Sequence, residues 1–185
     1  MKKALRGFTI TEVMLAATVS TIIITGAFTL LQASSKQLDM IHAKMTLQEE
    51  SRRALFKMAQ EIRQTSALQI TDFLSASEIT FNVPIPSPDA TTLVDPNYNP
   101  QWAATIRYFL DPQTHQIIRT STDYVTGDVD RAILANNVTA LTFELPALDS
   151  GLVTIQISAQ QTLSDGRVIP AQPLRLTTQA EARNP

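Results

Sequence analysis

The stretch VMLAATVSTIIITGAFTLL, residues 13–31, runs for nineteen residues without a charge. At about 1.5 Å of rise per helical residue it spans roughly the 30 Å hydrocarbon core of a bilayer, and it reads as a transmembrane helix. Lys2, Lys3 and Arg6 precede it, while the first charges beyond it are the mixed set Lys36, Asp39 and Lys44. Basic residues stay on the cytoplasmic side, so this asymmetry predicts a cytoplasmic N-terminus and an exported remainder. A secretory signal peptide also opens on basic and apolar stretches, but its apolar region covers only about 7–15 residues and ends in a small-residue cleavage site. The present run is longer, and Gln32-Ala33-Ser34 is the nearest approach to such a site.

Just before the run, Glu12 stands among Phe8, Ile10, Val13 and Met14. An unpaired carboxylate at the centre of a membrane helix costs about 3 kcal/mol, and less near the interface. Glu12 therefore either marks the point where the helix leaves lipid or answers to a partner. Phe8 and Glu12 are four residues apart, one helical turn, and share a face.

The whole string Lys2-Lys3-Ala4-Leu5-Arg6-Gly7-Phe8-Thr9-Ile10-Thr11-Glu12-Val13-Met14 resembles the type III signal of prepilins and pseudopilins. In that signal a short basic leader ends in Gly, cleavage precedes Phe, and a Glu follows at this spacing ahead of an apolar helix. The resemblance implies a prepilin peptidase that cuts between Gly7 and Phe8 on the cytoplasmic side and methylates the new amine of Phe8. It also implies that Glu12 neutralises the N-terminal charge of a neighbouring subunit as helices pack into a filament, offsetting the desolvation of both groups. Thr11 stands where the family usually has an apolar residue, and its hydroxyl is expected to bond back to a helix carbonyl. Loss of Lys2, Lys3 and Arg6 with the leader leaves 12 basic against 17 acidic residues, a formal charge of −5.

On the other side of the apolar run no proline occurs before Pro84, and Gly26 is the only glycine between Phe8 and Gly127. Nothing in the sequence interrupts a helix leaving the membrane. Leu38, Ile41, Met45, Leu55, Ala59 and Ile62 recur at helical spacing with Gln48 and Arg52 at the same phase. This predicts an amphipathic stem ending near Thr65 to Leu68, its stripe packed on the chain's own sheet and Lys44, Glu49, Arg53, Lys57 and Glu61 on the solvated face. A coiled-coil seam to a partner is the other reading of the stripe, weakened by Gln48 and Arg52 at its middle.

Beyond Thr71 the period changes to two. Ile79, Phe81 and Val83, then Trp102, Ala104, Ile106, Tyr108 and Leu110, then Val153, Ile155, Ile157 and Ala159 alternate with polar residues, as half-buried strands do. Asp111-Pro112-Gln113-Thr114-His115 and Ser164-Asp165-Gly166 supply turn chemistry for two hairpins. Pro84, Pro86, Pro88, Pro96 and Pro100 mark a long loop, a mobile surface segment or an interaction loop. The expected organisation is a leader at 1–7, a membrane helix at 8–32, a stem at 33–70 and an exported β domain at 71–185. The fold class is α+β, with the long helix packed on a mainly antiparallel sheet.

Catalytic chemistry has little to draw on. The 185 residues contain no cysteine and only His42 and His115, which excludes disulfides, thiolate zinc sites and a cysteine nucleophile. Neither H-E-x-x-H, G-x-S-x-G nor a glycine-rich phosphate loop occurs. The balance of 15 basic and 17 acidic residues leaves no electrostatic footprint for nucleic acid. Asp123, Asp128 and Asp130 flank Gly127 at a spacing that fits no EF-hand loop. Some pseudopilins bind calcium, which keeps that ion as an alternative to solvated turn residues; no other cofactor is expected.

The element order also resembles the pilin family. Arg53-Ala54-Leu55-Phe56-Lys57-Met58-Ala59-Gln60-Glu61-Ile62-Arg63-Gln64, Tyr108-Phe109-Leu110-Asp111, the segment Asn137-Val138-Thr139-Ala140-Leu141-Thr142-Phe143 and the Arg183-Asn184 ending are similar to J-type minor pseudopilins and W-type minor pilins. Major pilins often carry a C-terminal cysteine pair and a kinking proline in the membrane span, and this chain has neither. The resemblance implies a minor subunit of a type II secretion pseudopilus or type IV pilus, at or near the tip. Its implied location is the bacterial inner membrane with the β domain periplasmic, then the filament. The implied partners are a prepilin peptidase, other major and minor subunits, and an inner-membrane assembly platform served by a separate ATPase. A permanently anchored exported binding or sensor domain is the alternative, and an anchored envelope enzyme is a third.

Overall fold

The computed structural model describes residues 9–66, 70–75, 77–84, 104–124, 126–145, 151–163 and 165–182, with backbone alone for 71–75. Lys2, Lys3, Arg6, Gly7, Phe8, Trp102, the proline-punctuated segment beyond Pro84 and the Arg183-Asn184 ending lie outside these residues. The architecture is α+β: one long N-terminal helix, α1 (Ile10–Ile62, 53 residues), and eight antiparallel strands in two sheets. The helix runs unbroken because it contains no proline and its one glycine, Gly26, stands in open space.

Two compact units divide the chain, Met1–His42 and Ala43–Pro185. In the first, the described residues are helical from Ile10 and every side chain but Met40 is exposed. Its most apolar eighteen-residue window has a mean hydropathy of 2.0 and no buried residue, so the helix is long and apolar enough to cross a membrane.

In the second unit the C-terminal part of α1 lies on the sheets. The strands are β1 (Ile70–Ser75), β2 (Glu78–Val83), β3 (Ala104–Asp111), β4 (Gln116–Asp123), β5 (Val129–Ala135), β6 (Val138–Glu144), β7 (Leu152–Thr162) and β8 (Val168–Glu181). They form a five-stranded meander, β1-β2-β3-β4-β5, and a three-stranded one, β6-β7-β8. The expected period-two residues face the interior: Ile79, Phe81, Val83, Ala104, Ile106, Tyr108, Val153, Ile155, Ile157 and Ala159 are all buried. Both expected hairpins form. His115 closes the first with φ 55°, and Gly166 the second with φ 81°, a backbone region glycine enters without a Cβ penalty. Between Ile117 and Ile118 the pairing with β5 slips by one residue, leaving Leu134 as the extra residue of a bulge in β5.

Two expectations about the stem need correcting. The helix ends at Ile62, short of Thr65, although no glycine or proline stops it. Gln64 N–H and Thr65 N–H bond three residues back to Glu61 and Ile62, and the buried Thr65 hydroxyl donates to the Asn82 carbonyl at 2.6 Å, so β2 captures the chain there. Of the predicted stripe, Leu55, Ala59 and Ile62 are buried, but Leu38, Ile41 and Met45 are exposed. The buried face is Leu47, Ser51, Ala54, Leu55, Met58, Ala59, Glu61 and Ile62, spaced by three and four. Of these, Ala54, Leu55, Met58, Ala59 and Ile62 join Phe81, Ile106, Tyr108, Leu141, Phe143 and Ile155 in one core shared by the helix and both sheets.

Candidate functional site

The helix start is built from Thr9 and Glu12. Thr9 N–H and its hydroxyl each donate to Glu12 Oε2 at 2.9 Å, and Glu12 N–H reaches back to Thr9 Oγ1 at 3.3 Å. With α1 opening at Ile10, Thr9 is the N-cap and Glu12 the third helical residue: a capping box. The S/T-x-x-E pattern was legible in the sequence and is what the partner-based reading of Glu12 passed over. Thr11 meets the Thr9 hydroxyl at 3.0 Å; the carbonyls of Gly7 and Phe8, three and four residues before it, lie outside the described residues. The box answers orphan amides at the helix start, so Glu12 has work within its own chain.

Further along, Thr18, Thr21, Thr25 and Thr29 donate their hydroxyls to the carbonyls of Met14, Ala17, Thr21 and Gly26, each at 2.8 Å. These four threonine hydroxyls thereby have acceptors without water or a partner helix.

The junction of helix and sheet centres on Glu61, 5% exposed and expected on the solvated face. Tyr108 on β3 and Arg119 on β4 are directly opposite each other in the ladder and share one face. Tyr108 O–H donates to Glu61 Oε2, and Arg119 Nε lies 3.0 and 3.2 Å from the two carboxylate oxygens. Lys57, one turn earlier on α1, brings its Nζ within 2.9 Å of Oε1. Burial pushes the Glu61 carboxyl up, but the donors from Arg119, Tyr108 and Lys57 together hold it below the ordinary carboxylate value. Burial first, then the Glu61 charge, pushes the Tyr108 hydroxyl up and keeps it a donor. A second tie joins Glu50 Oε2 to the backbone and side-chain nitrogens of Asn136 at 3.0 and 3.3 Å.

The remaining predicted positions do not assemble into a site. His42 is exposed on α1 and His115 in the β3–β4 turn. Asp123 ends β4 and binds the Thr126 amide, Asp128 lies in the turn, and Asp130 on β5 faces Arg119 at 3.8 Å. Among the described residues no group of three or more His, Asp or Glu is arranged to hold a metal ion. Residues 1–8, Gly7 and Phe8 among them, lie outside the described residues, so the expected cleavage between those two rests on the sequence alone. No family model, curated protein or solved structure matches the chain.

Proposed function

We propose that the chain is a membrane-inserted minor subunit of a pilus-like or pseudopilus-like filament, acting by assembly rather than by chemistry. The observation that carries this reading is α1 itself. A single helix joins an apolar, membrane-length segment with fully exposed side chains to a C-terminal part locked onto two sheets. Such an element suits a segment that exchanges lipid for neighbouring helices while its exported domain stays folded. The basic leader ending at Gly7, Phe8 and Glu12 supports processing by a prepilin peptidase between Gly7 and Phe8, N-methylation of Phe8, and charge pairing of Glu12 with a neighbour's amine. In this reading the partners are other subunits and an assembly platform, and the exported domain occupies the periplasm.

One observation favours a second reading, a permanently anchored exported binding domain. The capping box gives Glu12 an intrachain role and needs no neighbour. Two measurements separate the readings. Mass spectrometry of the protein from its native membrane is expected to find a chain beginning at methylated Phe8; a retained leader would end the assembly reading. Glu12→Gln keeps a capping side chain but removes the charge, whereas Glu12→Ala removes both. Assembly predicts that both variants are excluded from filaments; normal filaments with Glu12→Gln would reduce Glu12 to a helix cap.

A further inference from the structure

A cleft of about 330 Å³ opens in the second unit where the β3–β4 turn meets the start of β6 and the end of β7, lined by His115, Asn137, Thr139, Gln160 and Thr162. A water molecule takes up about 30 Å³ of liquid, and ligand clefts begin at roughly 300 Å³, so the space suits a small organic ring.

Backbone bonds hold its walls in place. The His115 carbonyl accepts from Val138 N–H and the Asn137 carbonyl from Gln160 N–H, both at 2.9 Å, which stitches the turn, β6 and β7 together across the two sheets. His115 and Asn137 are also the two non-glycine residues with left-handed backbone among the described residues, at φ 55° and 58°. Glycine enters this region without a Cβ penalty, and asparagine tolerates it better than histidine does. A histidine at φ 55° therefore keeps a side chain, at a local cost, where the turn itself asks for none.

The side chains on these walls have hydrogen-bonding capacity to spare. The His115 imidazole, the Asn137 carboxamide and the Thr162 hydroxyl have no hydrogen-bond partner among the described residues. Gln160 Nε2 donates to the Pro170 and Ala171 carbonyls at 2.9 and 3.4 Å, which orients the amide and leaves Oε1 as an acceptor. Thr139 gives its hydroxyl proton to the Ser158 carbonyl at 3.1 Å and keeps its lone pairs. Donors and acceptors are thus mixed, and no lysine, arginine, aspartate or glutamate lines the cleft. Phosphates and carboxylates call for a cation, and hard divalent ions for carboxylate oxygens. The spare groups are side chains from a turn and two strands, not a row of backbone amides along a sheet edge, which favours a compact ring over an extended peptide.

We propose that this cleft binds a neutral mono- or disaccharide unit, with His115 and Asn137 contacting its hydroxyl or acetamido groups. The inference is independent of the assembly reading, since a filament subunit and a permanently anchored domain would present the same cleft.

The test holds the full chain, isotope-labelled, in a sugar-free zwitterionic detergent and titrates it with N,N′-diacetylchitobiose and with cellobiose. At least one sugar is expected to give saturable amide shifts centred on His115, Asn137, Thr139, Gln160 and Thr162. His115→Gly and Asn137→Gly leave the turns intact, because glycine accepts both φ values, and each should weaken the affinity roughly tenfold or more with unchanged circular dichroism. Thr162→Val, at an exposed position, should weaken it severalfold. Inorganic phosphate and N-acetyl-glycyl-glycine amide, the charged and peptide probes, should produce no such shifts. Absence of saturable shifts with both sugars, an affinity indifferent to all three substitutions, or tighter binding of the phosphate or peptide probe would overturn the saccharide site. None of these outcomes touches the mature N-terminus, so failure here leaves the assembly reading standing.

Discussion

Glu61 ties α1 to the sheet through Tyr108 and Arg119, with a third donor, Lys57, from its own helix. Glu61→Gln leaves Arg119 largely buried beside a neutral amide and should cost about 3 kcal/mol in denaturant unfolding. Tyr108→Phe removes one hydrogen bond and should cost about 1 kcal/mol. Because the folded-state pKa of Glu61 is depressed, its contribution is full above the ordinary value of 4.5 and is lost as pH falls through the lower folded value. Stability followed from pH 6 to pH 2 should therefore decline more steeply in the native chain than in Glu61→Gln; parallel profiles would show that the ion cluster contributes no proton linkage. Ser51 presents the reverse situation, a 1% exposed hydroxyl with no hydrogen-bond partner on the helix face against the core. Ser51→Ala should raise stability by about 1 kcal/mol, read as a shifted denaturation midpoint with unchanged slope.

The helix and strands differed in how much of them the sequence revealed. Strand alternation survived because Phe81, Ile106 and Ile155 each face one core whose two sides the period-two rule separates cleanly. The stem offered two apolar faces, one through Leu38, Ile41 and Met45 and one through Leu47, Ala54 and Met58, and periodicity cannot say which of them meets a sheet. Choosing the first phase put Glu61 in water, since the residues that satisfy it lie 47 and 58 positions away. Helix termination was hidden for the same reason: Thr65 is stopped by Asn82 and not by a local breaker. The Thr9–Glu12 box, in contrast, was fully local. Met58, fully buried between α1 and the sheets, provides the test at this scale. Met58→Ala should cost about 2–5 kcal/mol and raise amide exchange along the stem before it does so in β7.

Division of the whole chain at His42 and Ala43 implies that the second unit carries its own core, from Leu47 through Ala180. A chain shortened to begin at Ala43 should stay in solution without detergent and show one cooperative urea transition with native near-ultraviolet dichroism. Failure of that shortened chain to fold would mean that the membrane segment contributes to the domain's stability. The membrane-length segment was the most legible feature of all, because nineteen uncharged residues need no tertiary information to interpret. Its four threonines have a consequence of their own. Each hydroxyl travels with its acceptor, so relocating the helix from acyl chains to a proteinaceous interior neither breaks nor makes a bond at these positions. Under the assembly reading, transfer between the two surroundings would then be decided by shape and by the single carboxylate at the segment's edge, Glu12, and not by these hydroxyls.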